Sequence, residues 1–117
     1  AKHTALGALR SIGKASVPTL LSALAREKGW IRYDIIDALR EIGPGAAEAV
    51  PALLAILRRR PLHLQVSAAR ALGRIGAAAR DGLAAALSDP SEEVRLLAAH
   101  ALREAGSREA FPAGIKE

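Results

Sequence analysis

The chain has 117 residues, with 17 Lys+Arg against 12 Asp+Glu and no cysteine, so disulfides and thiolate chemistry are excluded and the length suits one domain. Half of it is apolar, yet only Trp30, Tyr33 and Phe111 are aromatic, which leaves a Leu, Ile, Val and Ala core suited to closely packed helices. No apolar run approaches the roughly 20 residues of a membrane span and no signal-peptide pattern opens the sequence; a cytoplasmic protein is expected, its net charge of +5 mostly a solvated face.

Helical segments and their repeats follow in chain order. AKHTALGALRSIG from Ala1 predicts a first helix ending at Gly13, and VPTLLSAL (17–24) a second. The pair recurs as IRYDIIDALREIG from Ile31 with VPALLAIL (50–57), and as LQVSAARALGRIG from Leu64 with RDGLAAAL (80–87). VRLLAAHALREAG from Val94 begins a fourth unit, whose second helix shrinks to residues 110–115. The first-helix segments align without gaps at steps of 30, 33 and 30 residues. Apolar side chains recur at positions 1, 5, 9 and 12, the stripe of one helical face: Ile31, Ile35, Leu39 and Ile42 in the second copy, Val94, Ala98, Leu102 and Ala105 in the fourth.

Glycine closes each copy at Gly13, Gly43, Gly76 and Gly106, the residue type that a left-handed helix end requires. Pro18 and Pro51 fit the first turn of a second helix, where no N–H bond is lost. The step from second helix to next first helix is 14 residues each time, from Val17 to Ile31, Val50 to Leu64 and Arg80 to Val94. The extra length of the second unit therefore falls in residues 44–49, a loop in this reading. Asp89-Pro90-Ser91-Glu92 reads as an N-cap Asp, a first-turn Pro and a capping-box Glu.

These residues resemble HEAT repeats, in particular the phycobilisome-lyase-type HEAT-like repeat. Val94-Arg95, Ala98-Ala99 and Ala101-Leu102 carry its first-helix pattern, as do Ala68-Ala69 and Ala71 to Gly76; Ala49-Val50-Pro51 and Ser16-Val17-Pro18 carry its second-helix pattern. The resemblance implies an all-α, right-handed solenoid of about four helix-turn-helix repeats filling 1–117 as one domain. Its repeats would be approximately 1–30, 31–63, 64–93 and 94–117, the last incomplete. Neither terminal repeat carries an evident polar cap, which points to a segment of a longer array or to self-association through the ends.

No chemistry-bearing constellation stands out. His3, His63 and His100 occupy different repeat rows, and none has a second His at helical metal-site spacing. The single carboxylate at such spacing, Glu104 four residues after His100, is too few ligands for a metal site. His-Glu dipeptides, by which the similar deoxyhypusine hydroxylases hold iron, do not occur. No catalytic residue, metal or cofactor is expected.

In the resembled family the second helices line the concave face. Their outward positions here are expected to be Thr19, Ser22, Ala23 and Arg26, then Ala52, Ala55, Ile56 and Arg59, then Ala85 and Ala86. A small-residue surface rimmed by arginine suits a partner peptide or protein, so the expectation is a non-catalytic protein-interaction scaffold. A second reading is nucleic-acid or phosphate binding through Arg26, Lys28 and Arg58-Arg59-Arg60. A third is an accessory subunit of a chromophore lyase. Tyr33, Val66 and Leu96 share position 3 of the first helix and predict an exposed apolar row, while Trp30 reads as a wedge between hairpins.

Overall fold

The computed structural model describes residues 13–110, with side chains to Gly106. The expected helices at 1–12, the residue His3 and the chain after Ala110 lie outside the described residues. The described chain forms α1 (Val17–Arg26), α2 (Ile31–Ile42), α3 (Val50–Leu57), α4 (Leu62–Ile75), α5 (Arg80–Ala86) and α6 (Glu92–Ala110), with 3-10 segments at Gly13–Ser16, Gly43–Ala49 and Gly76–Ala79. No strand occurs among the described residues. The architecture is an all-α solenoid: first helices α2, α4 and α6 pack side by side, and α3 and α5 pack on α4 and α6. The shortest dimension, 18 Å, is that of two stacked helices.

Second helices begin at Val17, Val50 and Arg80, as the repeat spacing predicts. Chain reversal before two of them depends on glycine. Gly43 has φ 69° and ψ −133°, and Gly76 φ 85° and ψ −128°. Both lie near the mirror image of the polyproline region, not in the left-handed helical well, so the Cβ of any L-residue is disfavoured there. Each glycine N–H still closes its helix, donating to the Leu39 and Leu72 carbonyls respectively. Gly106 behaves differently. It sits inside α6, which continues to Ala110. Helix propagation therefore prevails over the roughly 1 kcal/mol propensity cost of glycine.

The extra residues of the second unit do not form an irregular loop. Gly13–Ser16 and Gly76–Ala79 are four-residue 3-10 turns, and Gly43–Ala49 is a seven-residue one with a kink at Ala46 (φ −96°, ψ 22°). The three added residues match the length of one 3-10 turn, and they extend the segment as a second short turn across the non-helical Ala46. Ser16, Ala49 and Ala79, the residues before each second helix, are all buried, as is Ala46.

Small residues set the spacing between layers. Ala38, Ala71 and Ala101, at position 8 of successive first helices, are buried at the centre of the core with Ala68 and Ala98. Among second helices, Gly82 of α5 receives Leu54 of α3 so closely that a Cβ at 82 would collide with the Leu54 methyl groups. The boundary before α6 also differs from the sequence expectation. Ser91, not Asp89, caps the helix: its Oγ accepts the Val94 N–H at 3.4 Å, while the Asp89 carboxylate accepts the Ser91 N–H at 2.9 Å. Pro90 stays outside the helix because the Asp89 turn precedes it.

Gly76→Ala should cost about 1–3 kcal/mol in urea denaturation although nothing lies within 4 Å of the added Cβ, and Gly76→Asn should not rescue it. Gly106→Ala, also without steric conflict, should instead stabilise by up to about 1 kcal/mol.

Candidate functional site

The apolar stripe of α3 settles which side chains face outward. Val50, Leu53, Ile56 and Leu57 are buried at helical spacing, and Leu54 turns sideways toward α5. Ile56 is therefore only 7% exposed, a correction to its expected outward position, and Ala86 of α5 is likewise in the core while Ala85 is exposed. Of the other residues assigned to this face, Thr19, Ser22, Arg26, Ala55 and Arg59 are exposed, and Ala23 and Ala52 are half-buried against the core.

A shallow depression of about 200 Å³ opens between α1 and α3, lined by Leu21, Leu24 and Ala25, by Ala52, Ala55 and Ile56, and by Arg32 of α2. Ile56 forms part of its wall despite its burial. Sequence periodicity brings Ala52, Ala55 and Ile56 to this place and misses Leu21, Leu24, Ala25 and Arg32. Leu21 and Leu24 belong to the apolar stripe of α1, and Arg32 belongs to a first helix.

Arg32 is at position 2 of its repeat, and its counterparts explain what that position does. Gln65, almost fully buried, donates from Nε2 to the Leu57 carbonyl at 2.8 Å, satisfying an orphan acceptor at the end of α3. Arg95 donates from its guanidinium to the carbonyls of Asp89 at 2.8 Å and Pro90 at 3.0 Å. Position 2 thus ties α4 to the end of α3, and α6 to the linker that precedes it. At Arg32 the Nε is buried without a hydrogen-bond partner, beside the apolar depression.

The basic cluster is more neutralised than its composition indicates. Arg26 pairs with Glu27 and Arg58 with Asp89, each at 3.7 Å. Lys28, Arg59 and Arg60 are exposed. Asp89 thus both breaks the expected cationic stripe and holds one of its members.

Among the described residues no group of three or more His, Asp or Glu side chains is placed to hold a metal ion, and His63 and His100 are both exposed. The expected position-3 row is not uniform: Leu96 is 64% exposed, but Tyr33 packs on the core and Val66 is half-buried. Trp30 is 62% exposed at the start of α2 and is not the buried wedge expected of it. No described helix is long and apolar enough to cross a membrane.

Residues 51–113 match the HEAT repeats family, and residues 31–59 match the PBS lyase HEAT-like repeat. The first match spans more than half of the chain, and the chain belongs to the HEAT-repeat family, whose members generally serve as protein-interaction scaffolds. Neither a curated protein nor a solved structure gives a match.

Gln65→Ala should cost about 1–3 kcal/mol by urea denaturation, since it removes the donor that satisfies the Leu57 carbonyl. Arg58→Ala, which breaks a half-exposed pair, should change stability by less than about 1 kcal/mol.

Proposed function

We propose that this chain is a non-catalytic scaffold that captures an amphipathic peptide or helix of a partner protein on the face formed by its second helices. The observation that carries this reading is the depression between α1 and α3, where apolar walls meet the buried, unpartnered Nε of Arg32. Apolar anchors at helical spacing would fill the depression. A carboxylate on the same peptide would accept from Arg32, whose desolvated surroundings strengthen a charge-assisted bond. The exposed Arg59 favours the approach of an acidic segment.

The HEAT-like family includes repeats named for phycobilisome lyases, but no described cluster supplies reacting groups, and the scaffold reading uses every feature of this face. Nucleic-acid binding through Arg26, Lys28 and Arg58-Arg59-Arg60 is the weaker reading, because two of those cations are held by Glu27 and Asp89.

Selection of displayed peptides on the chain should enrich sequences with apolar residues at i and i+3 or i+4 next to an acid. Ala55→Glu should weaken their binding at least about tenfold (1.4 kcal/mol) with an unchanged melting temperature, because Ala55 is exposed. Arg32→Gln should weaken acidic peptides more than their amide analogues. Undiminished binding to Ala55→Glu would move the docking surface elsewhere. Ile56→Glu is unsuitable as a test, since a carboxylate in the core would unfold the chain.

A further inference from the structure

A second depression, of about 410 Å³, lies on the first-helix face and is lined by Arg40 of α2, Arg70 of α4, and His100, Arg103 and Glu104 of α6. Its origin is legible in the repeat. Position 10 of the first helix is arginine in α2 (Arg40) and α6 (Arg103) but glycine in α4 (Gly73). Gly73 is buried, and a Cβ there would press on Glu104. The central helix therefore presents no side chain where its neighbours present guanidinium groups, while Arg70 stands one turn earlier.

Three cations from three successive helices converge on this depression, and one carboxylate, Glu104, shares it. Among the described residues no acid pairs with Arg40, Arg70 or Arg103. Arg40 lies in the last turn of α2 and complements its dipole. That account fails for Arg70 and Arg103, which are well inside α4 and α6. A cleft lined mainly by one sign of charge focuses the field and concentrates counter-ions, and guanidinium forks match phosphoryl oxygens in geometry.

We propose that this depression binds an oligophosphate chain, two or more linked phosphoryl groups, free or carried by a nucleotide. The span argues for linked groups over a single phosphate. Adjacent helix axes are about 8–10 Å apart, so Arg40 and Arg103 reach inward from axes about 16–20 Å apart, and their side chains close only part of that gap. Arg70 supplies the central contact and His100 a further polar one. Glu104 opposes the anion and limits its affinity.

The test is calorimetric titration of the full chain, without metal and at low ionic strength, with phosphate, pyrophosphate, tripolyphosphate and ATP. Tripolyphosphate should bind at least about tenfold more tightly than phosphate, with ATP equal to it and both weakened by added salt. Arg70→Ala and Arg103→Ala should each lower affinity about tenfold, Glu104→Gln should raise it, and Arg59→Ala/Arg60→Ala should leave it unchanged. Amide shifts in the unsubstituted chain should centre on residues 70, 100 and 103, which makes the test independent of how any variant folds. Absence of tripolyphosphate binding, binding of ATP alone, or an equal loss in the Arg59/Arg60 variant would each overturn the proposal.

Discussion

Everything in this solenoid depends on how the chain turns from a first helix into a second. At Gly43 and Gly76 the backbone takes φ near +70° to +85° with ψ near −130°, a conformation that side chains with a Cβ rarely adopt. A left-handed helical cap would accept asparagine; this one does not. The reversal brings the second helix back across its partner, and the 3-10 turn that follows aims it. The second unit absorbs its three-residue insertion here, as a second short turn beyond the kink at Ala46. Register is preserved by geometry, and the buried Ala46 and Ala49 show that the inserted turn is part of the core.

Much of this was legible from the repeat. The second helices begin at the residues that the spacing predicts, and the apolar rows at positions 1, 5 and 9 are buried in the described first helices up to Ala98. What escaped the periodic reading shares one physical cause: it depends on neighbours that lie outside the repeat. Gly106 aligns with the turn glycines, yet it lies inside α6, which continues to Ala110. Leu53, Leu54 and Leu57 make an i, i+1, i+4 apolar stripe in the sequence, which leaves Ile56 outward. Gly82 then gives Leu54 a place against α5, which turns the stripe and buries Ile56. Ser91 displaced Asp89 as cap because the Asp89 carboxylate is engaged by the Ser91 N–H and by Arg58.

The clasp at position 2 shows how one site can be structural in two repeats and free for binding in a third. Gln65 and Arg95 each satisfy carbonyls at the end of the preceding unit. Such bonds contribute about 1 kcal/mol apiece, but they fix one hairpin on the next, and a solenoid's stability rests on those nearest-neighbour contacts. Arg32 has the same position with an unsatisfied Nε. A buried unpaired donor costs more than an exposed one. Arg32 also lines the depression, and a charge-assisted bond from its guanidinium to a ligand carboxylate would add affinity beyond the apolar area.

Both candidate sites arise where one copy departs from the repeat: the unpartnered Arg32 at the clasp, and Gly73 in place of arginine at position 10. A regular solenoid gives identical surfaces along its length and so has no preferred place for a compact ligand; each departure creates one. The two departures also fall on different faces, Arg32 with the second helices and Gly73 among the first. Substitutions at sites with no shared partners act nearly additively, so a peptide on one face and an anion on the other are expected to bind without competing. Coupling between them would have to pass through the buried core that separates the two faces, and close-packed interiors resist such movement.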